Sequence, residues 1–88
     1  MSNFKAWLKS KRIGVLLGGT SAERPISLKT GTAILKSLQR QGFKAIPIDP
    51  SRKLTEQLRK NRIDLAYIAL HGPGGEDGAI QGLLEWMK

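Results

Sequence analysis

One histidine, His71, stands between an apolar run, Leu65-Ala-Tyr-Ile-Ala-Leu70, and the loop Gly72-Pro-Gly-Gly-Glu-Asp-Gly78, which has four glycines in seven residues. An imidazole titrates near neutrality and can hold or move a proton, and a carboxylate within hydrogen-bond reach fixes its tautomer. Glu76, five positions further on, is near enough across a tight loop to do that. The glycines would let a ligand approach the backbone closely. A structural reading stands beside this one: Asp77 caps a following helix, and the histidine is a satisfied part of the fold. The residues alone leave both open.

A second segment, Gly18-Gly-Thr-Ser-Ala-Glu-Arg24, also invites chemistry. Backbone N–H groups at a glycine turn and a helix N-terminus favour an anion, which suggests a phosphate site. The formal signatures are missing: there is neither G-x-G-x-x-G nor G-x-x-x-x-G-K-[ST]. A strand-to-helix turn that needs small residues is the plainer explanation. Glu23 either complements the dipole of the helix it opens or, at the mouth of a crevice, holds the ammonium group of a ligand.

Both segments need a scaffold. Ile13-Gly-Val-Leu-Leu17 is apolar on both faces, the pattern of a buried parallel strand, and Gly18-Gly19 stops it. Ile26, Thr30, Ala33, Ile34 and Leu38 keep helical steps, with Pro25 in the first turn and Gly42 at the end. Ala45-Ile-Pro-Ile48 reads as a second strand, placed at a sheet edge by Pro47. Ser51 caps a short basic helix carrying Leu54 and Leu58. Leu65–Leu70 is the third strand, and Ile80, Leu83, Leu84 and Met87 mark the inner face of a closing helix. Strand–helix alternation predicts an α/β fold with three layers, a short parallel sheet flanked by helices and joined by right-handed crossovers.

Ligands of such sheets bind beyond the carboxyl ends of the strands. If the first and third strands are neighbours, Glu23, Ser27, His71, Glu76 and Asp77 surround one crevice.

Composition narrows the function. The 88 residues make one small domain, and with 40% apolar and 25% charged residues the chain is an ordinary globular one. The absence of cysteine excludes disulfides and thiolate metal sites. No apolar stretch reaches the roughly 18–20 residues of a membrane span, and the N-terminus lacks the apolar core of a secretory signal, which makes the cytoplasm the expected compartment. The net charge of +8 suggests nucleic acid, but four of those charges, Lys5, Lys9, Lys11 and Arg12, lie in the first twelve residues. The basic residues lack the interleaved aromatics of a base-stacking platform, so neither nucleic acid nor membrane is expected as a partner. In residues 1–11, Phe4, Trp7 and Leu8 keep helical spacing among lysines, which reads as a basic leader packing its apolar side on the domain.

Taken together, Val15-Leu-Leu-Gly-Gly-Thr-Ser-Ala-Glu-Arg24 and Ala69-Leu-His-Gly-Pro-Gly-Gly-Glu-Asp-Gly-Ala-Ile-Gln-Gly-Leu-Leu-Glu85 closely resemble the two N-terminal motifs of D-alanine–D-alanine ligases, in the same order and at a similar separation. Ser27-Leu28, Gly31 and Pro47-Ile-Asp-Pro50 fit as well, so the likeness covers about residues 12–88.

The resemblance implies a Rossmann-like N-terminal substrate-binding domain over 12–88 behind a leader of residues 1–11. Ligases of this ATP-grasp family are cytoplasmic enzymes of peptidoglycan synthesis. ATP phosphorylates the carboxylate of one D-alanine, and the amine of a second attacks the acylphosphate. By the same resemblance, Glu23 and His71 are catalytic. Glu23 holds the amino group of the first D-alanine, and His71 lies near the reacting groups with Glu76 orienting it. Ser27 completes the substrate-binding set. ATP and magnesium are implied to bind in later domains, and not at the Gly18-Gly19 turn. D-alanine, the rest of the ligase chain and a second copy of the complete enzyme are the implied partners.

Pro25 stands where many members carry a second glutamate, and the leader is longer than the family pattern suggests. The last helical pattern runs to Lys88 without a stop signal, so the sequence reads as the first part of a longer protein, with an unpaired sheet edge and self-association around Trp86 and Met87. The groups that stabilise transition-state charge, commonly the largest catalytic contribution, are expected beyond Lys88, so the 88 residues alone are expected not to ligate D-alanine. A ligase of the D-alanine–D-lactate type and a stand-alone α/β binding module are the alternatives.

Overall fold

Residues of odd and even number divide the sheet's two faces. Ile13, Val15, Leu17, Ala45 and Leu65 form one buried cluster, and Leu16, Ile48, Leu58, Ile63 and Ala66 form another. This is the two-residue period of β-structure with both faces covered, as parallel sheets require. The computed structural model describes residues 2–20, 22–71 and 79–85. Within them the chain runs α1 (Ser2–Lys9), β1 (Arg12–Leu16), α2 (Arg24–Arg40), β2 (Lys44–Ile48), α3 (Leu54–Lys60), β3 (Leu65–His71) and β4 (Ala79–Glu85).

The strand order is β2-β1-β3-β4. The pairs β1–β2 and β1–β3 are parallel, with Val15 opposite Pro47 on one side and Tyr67 on the other. Pro47 lies on an edge strand, as expected for a residue with no N–H to give. The crossovers β1-α2-β2 and β2-α3-β3 run in opposite directions along the sheet, so right-handed connections put their helices on opposite faces. Leu28, Ile34, Leu35 and Leu38 of α2 accordingly pack on the first cluster, and Leu54 of α3 packs on the second. The fold is therefore α/β, three-layered and Rossmann-like.

Two details of α2 differ from the sequence reading. Its buried residues are Ser27 and Gly31, whereas Ile26 is half exposed and Ala33 is exposed. The cause is closeness. A Cβ on Gly31 would lie 2.4 Å from the Cβ of Leu17, so only the smallest side chains fit where the helix touches β1. The larger apolar residues flank that line. At the other end the backbone N–H of Gly42 donates to Gln39 and that of Phe43 to Leu38, closing a Schellman turn in which Gly42 has φ +90°. The chain makes the same turn after α3 without a glycine: Arg62, two residues past Lys60 and at φ 55°, donates to Arg59, and Ile63 donates to Leu58.

The expected closing helix is not formed over residues 79–85. They are β4, antiparallel to β3 from Leu65↔Glu85 to His71↔Ala79. Ile80, Leu83 and Leu84 match a helical step, but a short apolar run does not separate helix from strand by period alone. The far edge of β3 decides it, because it offers a full row of backbone donors and acceptors that β4 satisfies. The edge expected to be unpaired is thus covered. Trp86 and Met87, on which self-association was placed, lie outside the described residues.

The leader is helical, and only part of it packs on the domain. Leu8 joins the first core cluster, while Phe4 and Trp7 are 59% and 42% exposed and stack on each other with ring centroids 6.0 Å apart.

Candidate functional site

The strand order places the carboxyl ends of β1 and β3 side by side, so the segment after Leu17 and the segment after His71 leave the sheet at neighbouring positions. The direction of the crossovers reverses at β1, which makes this the switch point where ligands of open α/β sheets bind.

Ser27 holds the floor of this site. It is fully buried, and its hydroxyl accepts the N–H of Gly18 at 2.9 Å and donates to the carbonyl of Ala69 at 2.5 Å. One side chain of α2 therefore ties the turn after β1 to the end of β3. The hydroxyl's one proton is committed and the residue is closed to solvent, so Ser27 lies beneath the surface at these strand ends. Glu23 is the N-cap residue of α2. Its carbonyl accepts the N–H of Ser27 at 3.0 Å, its side chain caps no helix N–H, and it is partly exposed. His71 is the last residue of β3. Glu76 and Asp77 lie outside the described residues.

Sequence reasoning missed a second pair at this edge. Arg24 and Asp49 stand just past the carboxyl ends of the adjacent strands β1 and β2. Their side chains meet in two contacts, Nη2 to Oδ2 at 2.7 Å and Nη1 to Oδ1 at 3.0 Å. Both also hold Gly19, whose N–H donates to Asp49 Oδ1 at 3.1 Å and whose carbonyl accepts Arg24 Nη1 at 3.0 Å. The arginine's hydrogen bonds hold the Asp49 carboxyl below the usual carboxylate range, and the same contact raises the guanidinium above its own. The carbonyl of Asp49 accepts Gln57 Nε2 of α3 at 2.9 Å, and the side-chain oxygen of Gln57 accepts the N–H of Ser51 at 3.0 Å. The visible signal was an opposite pair of charges after two parallel strands, and it becomes a contact only when β1 and β2 are known to be neighbours.

Gly18 and Gly19 have φ of +90° and +77°. At Gly18 a Cβ would stand 2.7 Å from Arg24 Nη1 and 2.8 Å from Asp49 Oδ1. Glycine is thus required at this turn for its conformation and for space. The turn does not fit a nucleotide phosphate. Its two N–H groups already go to Ser27 and Asp49, and the Asp49 carboxylate occupies the place of an anion. Among the described residues no three or more His, Cys, Asp or Glu side chains come together to hold a metal ion. No described helix is long and apolar enough to cross a membrane.

Comparison with known proteins shows what the chain is similar to. A family model described as the D-ala D-ala ligase N-terminus matches residues 49–88, the part that runs from the end of β2 through both strands of the β3–β4 pair. Curated D-alanine–D-alanine ligases match nearly the whole chain, the one from Citrifermentans bemidjiense at 56% identity over 80 residues. The chain matches the N-terminus of the D-alanine–D-alanine ligase family. The relative from Buchnera aphidicola is 60% identical over 78 residues, and that from Geobacter sulfurreducens 55% over 80. These alignments take in 91%, 89% and 91% of this chain but 26%, 26% and 25% of the three relatives. The chain therefore spans about a quarter of the length of the curated ligases it matches.

Proposed function

We propose that this chain supplies the first-D-alanine site of an ATP-dependent D-alanine–D-alanine ligase of the ATP-grasp type, which works in the cytoplasm as a homodimer and makes the dipeptide for peptidoglycan and cell-wall construction. The observation that supports this reading is the parallel pairing of β1 with β3, which brings the segments that follow these strands to neighbouring positions at one end of the sheet, in a chain 56% identical over 80 residues to a named ligase. Glu23 receives the ammonium group of the first D-alanine. An ammonium ion is the natural counter-charge of a carboxylate. His71, at the end of β3, serves the reacting carboxylate, with Glu76 orienting the ring. Ser27 serves substrate binding from below, by holding the turn that carries Glu23. ATP and magnesium belong to other parts of a complete ligase, where ATP activates the carboxylate that the second D-alanine's amine then attacks.

Nuclear magnetic resonance titration of the chain with D-alanine and L-alanine tests this. The expected outcome is saturable, D-selective shifts at residues 18–27 and 69–71 that Glu23→Gln abolishes. Equal response to both enantiomers, or none, overturns the reading. Phosphate release from ATP with D-alanine is expected to stay at background for the 88 residues alone, because the groups assigned here bind substrate and do not grip ATP.

A further inference from the structure

We propose that Arg24 and Asp49 act as a positioning clasp for Glu23, fixing the turn that presents its carboxylate to the substrate. The inference rests on the D-alanine reading above. The geometry forms a closed circuit. Gly19 gives its N–H to Asp49 and receives Arg24 on its carbonyl, while Arg24 and Asp49 grip each other through two further contacts. The two peptide groups that flank the Gly19 Cα are thereby held by side chains from two different crossovers. Arg24 follows Glu23 directly, so the loop from Gly19 to Arg24 is closed at its ends by the same guanidinium, with Glu23 on it. Ser27 holds the turn from inside the domain through Gly18, and the clasp holds it from outside. The clasp is itself fixed, because Gln57 of α3 holds the carbonyl of Asp49.

The circuit is specific to its residue types. A guanidinium can serve two carboxylate oxygens and a carbonyl at once from its rigid fork, whereas an ammonium is a single point charge. The pair is also a weak stabiliser. Its side chains are 44% and 46% exposed, and ion pairs so open to water contribute little to folding. An arrangement that costs the backbone two positive-φ glycines and adds little stability fits a positioning device better than a structural brace.

The test is D-alanine affinity of the full 88-residue chain, read by amide shifts, together with hydrogen exchange at Gly19 and the thermal midpoint. Arg24→Lys and Asp49→Asn are each expected to weaken D-alanine binding about tenfold, equivalent to about 1.4 kcal/mol. Both should speed exchange at Gly19 and leave the midpoint close to that of the parent. Arg12→Lys is the control. That arginine binds the carbonyl of Asn61 at the opposite end of the sheet, so its loss should lower the midpoint without changing D-alanine affinity. Parent affinity in both Arg24→Lys and Asp49→Asn, with Glu23→Gln still abolishing binding, overturns the clasp and leaves the D-alanine reading intact. Failure of the parent chain to bind D-alanine overturns that reading and the clasp's role with it.

Discussion

The hydroxyl of Ser27 donates to the carbonyl of Ala69, 42 positions away in the chain, and this single bond joins the helix after β1 to the end of β3. Replacing it with Ser27→Ala leaves the Gly18 N–H and the Ala69 carbonyl buried without their partner. An unsatisfied buried group costs about 1–3 kcal/mol. The expected result is a drop of about 4–8 °C in thermal midpoint per kcal/mol lost, measured by circular dichroism. A midpoint unchanged in Ser27→Ala would mean that neither bond matters.

Gly31→Ala sets two effects against each other. Alanine favours a helix interior by about 1 kcal/mol over glycine. Against this, the new Cβ meets the Cβ of Leu17 at 2.4 Å, an atom fixed to the backbone that cannot swing away. Overpacking of that kind costs about 1–3 kcal/mol. Net destabilisation in urea unfolding is the expected outcome, and a gain would show that α2 can lift from β1 without penalty.

Arg62 offers the reverse case. It occupies the left-handed position of a Schellman turn at φ 55°, where a side chain is strained and glycine is at ease. Arg62→Gly is expected to stabilise the chain by about 0.5–1 kcal/mol, since the two hydrogen bonds that close this turn come from the backbone N–H groups of Arg62 and Ile63. A lower urea midpoint would show that the arginine side chain contributes more than its backbone strain removes.

The Asp49 carboxyl gives a pH dependence with a definite sign. Its pKa in the folded chain is held below the unfolded value, chiefly by the hydrogen bonds from Arg24. Its contribution is therefore complete above the unfolded pKa and disappears as pH falls through the folded one. Arg24 stays charged throughout, since its own pKa is raised. In urea midpoints taken across the acid range, the parent should exceed Asp49→Asn slightly at neutral pH and converge with it at low pH. The gap should be small and should shrink with salt, because the pair is half exposed. A gap that widens on acidification would contradict the assignment.

The sequence by itself determined β1, β3 and the edge position of β2. Continuous apolar runs suit a sheet covered on both faces, and Pro47 bars a central place. It also determined the two segments of the site, since chain direction puts Gly18–Ser27 and His71 at the carboxyl ends of parallel strands whatever their order. Tertiary structure alone decided the rest. Spacing placed Ser27 among the residues around the site, but its full burial and its bonds to Gly18 and Ala69 follow from the closeness of α2 to β1, which is set by how the two pack and not by the local pattern. Arg24 and Asp49 became partners only through the pairing of β1 with β2. Residues 79–85 carry a pattern that either helix or strand can satisfy, and the open edge of β3 selected the strand. Local periodicity records which faces are apolar. Which donor meets which acceptor depends on strand order, a property of the assembled sheet.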